Sequence, residues 1–203
     1  MAHNISDRPL TVGVLALQGD FEKHIEALKS AGGEGVEIRT VDDLRNVEGL
    51  IIPGGESTTV GKLMTRYGLD KAIKELSTEG LPIWGTCMGM IMMADRIENS
   101  DQPSLNLLDI TVKRNAFGRQ IDSFETDIYF EPLNSNIHAV FIRAPIVTQI
   151  GASVHTLATF ENNIVCVQQN NLLGSSFHPE LTDDPRVHVY FIKMVEKYIE
   201  NKE

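Results

Sequence analysis

The 203-residue chain has 42% apolar side chains, enough for one core or one core with an insertion, and its formal charge is −10. That charge argues against indiscriminate binding to nucleic acid or to an anionic membrane, which needs clustered Lys and Arg, and leaves small molecules and other proteins as the expected partners. No apolar run approaches the roughly 18 residues of a membrane span and no stretch has the form of a signal peptide; two cysteines fit neither a disulfide framework nor a zinc spacing, so a reducing cytoplasm is the expected setting.

The pattern predicts a single domain over residues 1–203, with the polar, aperiodic residues 1–9 as a flexible N-terminal extension. Residues 11–17 (TVGVLAL) read as a strand buried on both faces, as in a parallel sheet. Within residues 20–31, Phe21, Ile25 and Leu28 form a helical stripe stopped by Gly32 and Gly33, and His24 beside that stripe is expected at the surface or half-buried. Residues 36–40 form the next strand and residues 42–47 a short helical connection. Residues 49–52 form a third strand, which runs into Pro53-Gly54-Gly55-Glu56-Ser57-Thr58. Glycines at such a turn let backbone N–H groups approach an anion or oxyanion; an ordinary strand-to-helix loop capped by Ser57 or Thr58 has the same look. The Lys-Ser/Thr ending of a P-loop is missing.

Residues 60–67 and 69–76 read as amphipathic helices broken at Gly68. Residues 82–84 are a short buried strand and Met88 opens a helix, so Cys87 falls on the turn between them, flanked by Gly85 and Gly89. This G-x-C-x-G is the thiol counterpart of a nucleophile elbow, whose tight turn aims the sulfur outward at a helix N-terminus that favours the thiolate. A buried structural cysteine is the alternative, and Met88, Met90, Met92 and Met93 read as core packing behind it. The β-α-β order to this point implies a parallel sheet with helices on both faces and ligands at the carboxyl ends of its strands.

After Ser104 the strands (107–112, 124–130, 139–142, 157–160, 164–168 and 172–177) follow without helices between them, with turns at 161–163 and 169–171. The expected fold is therefore three-layer α/β/α, its central, mostly parallel sheet extended by antiparallel strands. Between the first two of these strands, residues 113–120 (KRNAFGRQ) carry Arg114 and Arg119, a solvated face or a bidentate clamp for a carboxylate. Cys166, inside an apolar strand, is structural. The last strand delivers S-S-F-H-P-E to the same sheet edge as Cys87, and residues 186–199 close the chain as an amphipathic helix. His178 and Glu180 then stand where a Cys-His-carboxylate triad needs them, although singly they read as a loop histidine and a surface acid.

Together, G-T-C-M-G, P-G-G-E-S and F-H-P-E in this order resemble the motifs of class I glutamine amidotransferases. VGVLALQGDFEKHI, IIPGGEST, KRNAFGRQIDSF, FIRAP and SSFHPEL are similar, more particularly, to the family of glutaminase subunits that serve pyridoxal 5′-phosphate synthases, over residues 11–181. Met88 departs from the alanine that family places after its nucleophile, which bears on rate rather than on reaction type. The resemblance implies Cys87 as nucleophile, His178 as general acid and base, and Glu180 as its orienter. It implies glutamine contacts at Gly55, Glu56, Ser57, Arg114, Ile142 and Arg143, and an oxyanion hole from the backbone at Gly54, Gly55 and Met88. It further implies hydrolysis of glutamine through a glutamyl thioester without metal or organic cofactor. Ammonia would pass through a protein channel to a (β/α)₈-barrel synthase subunit in a hetero-oligomer, which joins it to ribose 5-phosphate and glyceraldehyde 3-phosphate. The isolated chain is expected to be slow until that partner reorients the Gly54-Gly55 peptide. Read without the resemblance, the residues reach a thiol amidohydrolase; a cysteine peptidase on a similar fold and a non-catalytic regulatory subunit stand beside it.

Overall fold

The computed structural model describes residues 8–117 and 123–202. Most of the expected N-terminal extension, and Arg119 of the polar loop, lie outside these described residues. The chain opens with β1 (Thr11–Leu15), α1 (Phe21–Ser30), β2 (Glu34–Ile38) and, after a 3₁₀ turn at Asp42–Asn46, β3 (Gly49–Ile52). Helices α2 (Ser57–Tyr67) and α3 (Leu69–Thr78) meet at Gly68, whose left-handed φ of 72° turns one into the other. Then come β4 (Ile83–Thr86), α4 (Met88–Met93), β5 (Ala94–Ile97), β6 (Leu108–Lys113), the ribbon β7 (Ser123–Phe130) and β8 (Ser135–Ile142), β9 (Ile146–Ile150), β10 (His155–Phe160), β11 (Asn163–Gln169) and β12 (Leu172–Ser175). After a 3₁₀ turn at Pro179–Leu181, α5 (Arg186–Glu200) ends the described fold.

The main sheet has the order β2-β1-β3-β4-β12-β11-β9-β6-β5, with β10 paired to β11 and β7–β8 as a separate ribbon. From β2 to β12 the pairing is parallel; past β12 it is antiparallel, except that β5 lies parallel to β6. Alternation along the strands sends side chains into two cores. Leu50, Ile52 and Ile83 face α2, α3 and α4 with Val60, Met64, Ile73 and the methionines of α4. Val12, Val14, Ile51 and Trp84 face α1, α5 and the β7–β8 ribbon with Leu28, Phe130, Phe191 and Val195.

The structure departs from the sequence-based expectation in five places. Strands β5 and β9 are additional. The first follows α4 without a break, because Ala94 turns extended (ψ 149°) after a helix of only six residues. β12 stops at Ser175 and, although joined to β11 by a hairpin, lies parallel to β4 rather than forming an antiparallel addition. Helix α2 is capped by the Glu56 carboxylate, which accepts from Thr58 N–H at 2.9 Å and Thr59 N–H at 2.8 Å, and not by Ser57 or Thr58. His24 is fully buried, not half-exposed.

Candidate active site

The central parallel strands end on one edge, and the elbow stands there. Cys87 takes φ 50° and ψ −105° between β4 and α4, a conformation that costs a non-glycine residue on the order of 1–3 kcal/mol. The turn is held on both sides: Cys87 N–H donates to the Ser175 carbonyl at 2.7 Å, and the Cys87 carbonyl accepts from Ile91 N–H at 3.3 Å. Helix α4 lies so close to β3 that a Cβ on Gly89 would stand 1.8 Å from the Ile52 carbonyl oxygen. The Cys87 side chain is half-buried, its Sγ 3.7 Å from the Ile142 carbonyl oxygen.

Beyond Ser175 the chain leaves the β4 side. Ser176 N–H donates to Val165 O and His178 N–H to Val140 O, each at 2.8 Å, which suspends His178 between β11 and β8 at the carboxyl edge. Its ring lies against Gly54, where a Cβ would come 2.6 Å from His178 Cε1, so this glycine makes room for the imidazole. The 3₁₀ turn returns Glu180 Oε1 to within 2.7 Å of His178 Nδ1. Burial works against a charged His178, but the adjacent Cys87 and Glu180 outweigh it and raise its pKa to about 10. Burial equally opposes ionisation of Glu180, yet His24 and His178 bring its carboxyl down to about 2. His24 is pushed down by its own burial, against the pull of Glu180, so the full positive charge beside that carboxylate near neutral pH is His178. With Nδ1–H given to Glu180, His178 has Nε2 free for proton exchange with the thiol.

Apart from Glu180, which lies behind His178, every site residue that the resemblance implies lines one cleft of about 420 Å³, together with Gln18, Gly19, Asp20, Ile91 and Asn115. The Arg114 guanidinium contacts Ser57 Oγ and Gln102 Oε1, and its Nε is buried with no hydrogen-bond partner among the described residues. Arg143, at φ 44°, is exposed at the rim. The carboxylate of Glu56 and the hydroxyl of Ser57 are already engaged, by α2 and by Gln102 with Arg114, so their backbone groups are what remains for a ligand. Bonds from Thr59 and Thr58 hold that Glu56 carboxyl at about 2. Sequence reasoning missed Gln18, Gln102 and His188. His24 was placed off the buried stripe although it lies three residues from Phe21 and four from Leu28, the spacing of that face.

A thiol, an imidazole and a carboxylate in series on one cleft can activate a sulfur nucleophile and protonate a leaving amine. Among the described residues no group of three or more His, Cys, Asp or Glu could hold a metal ion, and no helix is long and apolar enough to cross a membrane. A family model described as the SNO glutamine amidotransferase family matches residues 14–197. A curated protein of Moorella thermoacetica, named pyridoxal 5′-phosphate synthase subunit PdxT, is 52% identical over 187 residues, covering 92% of this chain and all of that one. Its namesake in Niallia circulans is 50% identical over 186 residues, 92% of this chain and 98% of its own. A crystal structure titled glutamine amidotransferase superposes with a TM-score of 0.88 at 48% identity, covering 91% of this chain and 98% of that one.

Proposed function

The chain belongs to the SNO glutamine amidotransferase family, and from that premise we propose that it hydrolyses L-glutamine to L-glutamate and ammonia as the glutaminase subunit of a pyridoxal 5′-phosphate synthase. The observation that carries the chemistry is the His178–Glu180 contact of 2.7 Å at the edge where the elbow presents Cys87. Cys87 thiolate attacks the side-chain amide carbon of glutamine, and the C–N bond breaks as His178 delivers its proton to the departing ammonia. His178 then takes a proton from water, which attacks the glutamyl thioester and releases glutamate and the thiol. Glu180 keeps the imidazole in one orientation throughout.

Both tetrahedral intermediates carry an oxyanion, which we assign to backbone N–H groups at Gly54-Gly55 and at Met88. Met88 opens α4 and so has an N–H without an intrahelical acceptor. Losing one such donor typically costs on the order of 10²-fold in rate. The glutamine α-carboxylate meets Arg114 and Arg143, while the backbone of Gly55, Glu56, Ser57 and Ile142 lines the rest of its site. A cationic mouth that selects a free α-carboxylate favours an amino acid over an extended peptide. Ammonia released into water would be protonated and lost, so a (β/α)₈-barrel synthase partner receives it through a channel, in a reducing cytoplasm where Cys87 stays unoxidised.

Glutamate release from glutamine, measured with and without the cognate synthase subunit, tests the proposal. Release stimulated by the partner and absent in Cys87→Ala is expected. Hydrolysis of a reporter peptide with glutamine untouched would transfer the chain to the peptidases, and an inert wild type in every mixture would make it a regulatory subunit.

A further inference from the structure

Glu180 has two oxygens and the triad uses one. Oε1 bonds His178, while Oε2 is buried and makes no well-aligned hydrogen bond among the described residues. Facing Oε2 at 3.3 Å is Nε2 of His24, a fully buried side chain on α1 that lines no part of the cleft. The same Nε2 is 3.2 Å from Thr86 Oγ1, one residue before Cys87, and His24 Nδ1 is 3.0 Å from Nε2 of His188, also fully buried, on α5. Trp84 closes the group, its ring centroid 5.7 Å from that of His24 and 4.9 Å from that of His188. Asp20 and His178 are the other charged groups that act on His24.

Two proton arrangements are possible. With hydrogen on His24 Nδ1, the bare Nε2 lone pair would face the Glu180 carboxylate, and His188 would bury an N–H at Nδ1 with nothing to receive it. With hydrogen on His24 Nε2, an N–H points between Thr86 and Glu180, His188 Nε2–H donates to His24 Nδ1, and what the two rings leave without a partner is a lone pair on His188 Nδ1. An unmet acceptor in an aromatic pocket costs less than a lone pair set against an anion. Resting on the glutaminase reading only for what the triad turns over, we propose that His24, held in its Nε2–H tautomer by His188, is a positioning residue that fixes the Glu180 carboxylate in the orientation that serves His178. The series Cys87, His178, Glu180, His24, His188 thus carries the triad's alignment from the cleft to the α5 side of the sheet.

The test reads alkylation of Cys87 by iodoacetamide against pH, located by peptide mapping, in the full chain; Cys166 is fully buried and its thiol pushed up by that burial, so it does not compete. In His24→Leu the acid limb moves up by about one pH unit and kcat for glutamine falls about tenfold, with KM within about twofold, because a bond to a charged group is weakened away from the substrate site. His24→Gln, which restores a donor near the Nε2 position, returns the limb toward wild type. Added to Glu180→Gln, His24→Leu produces no further shift. An unmoved limb in folded His24→Leu, or an equal shift on top of Glu180→Gln, overturns the proposal. If His24→Leu does not fold, ¹⁵N-histidine spectra of the wild type decide: neutral His24 protonated at Nε2 is expected at pH 7, and protonation at Nδ1 contradicts it. Alkylation needs no glutamine, so a normal limb shift in a chain that leaves glutamine intact would sink the glutaminase reading and not this one.

Discussion

Gly89→Ala puts a methyl group where the structure has no space for one. Its Cβ would stand 1.8 Å from the Ile52 carbonyl oxygen and 2.8 Å from its carbon, whereas a tolerable C···O approach is about 3.3 Å. Relief therefore requires a relative shift of about 1.5 Å. Strand β3 cannot supply it, because it is hydrogen-bonded between β1 and β4, so α4 must move. That helix begins one residue after Cys87 and opens with Met88, whose N–H we assign to the oxyanion hole. Misplacing catalytic groups by about 1 Å costs on the order of 10²-fold, so turnover with the synthase partner should fall by at least that much. The strain of overpacking, about 1–3 kcal/mol, should lower Tm by roughly 3–10 °C. Ammonia release and thermal unfolding are the assays. A variant within twofold of wild-type turnover, with Tm unchanged, would refute the claim that the close packing of α4 on β3 sets the elbow.

Gly61→Ala is the contrasting case. Its Cβ would meet Met92 Cε at 3.4 Å, an ordinary contact with a flexible chain end. In the interior of α2 it should stabilise by about 0.5–1 kcal/mol, read as a higher urea midpoint at unchanged m-value, with turnover retained. Stability should also depend on pH with a defined sign. His188 is held at about 3, below its ordinary 6.5, by burial. Its contribution is full above about 6.5 and is lost as pH falls toward 3, on the order of 5 kcal/mol in all. His24 acts in the same direction, and Glu180, held at about 2, adds a loss below about 4.5. His178, raised to about 10, contributes below about 6.5 and loses that contribution as pH climbs to 10. Urea midpoints followed by the fluorescence of buried Trp84 should therefore peak near pH 6.5–7 and fall on both sides. A flat acid limb would show that the paired histidines are not buried neutral.

The elbow and the F-H-P-E segment were legible because each follows a short apolar strand, and parallel pairing of β4 with β12 brings such strand ends to one edge. β5 was hidden because M-M-A-D-R-I stays apolar across the change from helix to strand, leaving no shift of period to see. β9 was hidden for the opposite reason, since it is mostly exposed and shows no alternation. Gln102, which contacts Arg114, is one polar residue in an irregular segment and carries no pattern. His24 and His188 occupy core faces of their helices, at positions where an apolar side chain is the default expectation. Only the three-dimensional meeting of α1, α5 and the 3₁₀ turn at Pro179–Leu181 gives those two imidazoles partners.

In the proposed reaction Cys87 carries the glutamyl group. Acid quenching of the chain mixed with glutamine and synthase partner, followed by mass analysis of the peptide containing Cys87, tests it most directly. A transient mass increase of one γ-glutamyl group on Cys87 is expected, longer-lived when hydrolysis is slowed and absent in Cys87→Ala. Steady glutamate release by Cys87→Ala, or a γ-glutamyl group trapped on any other residue, would contradict it.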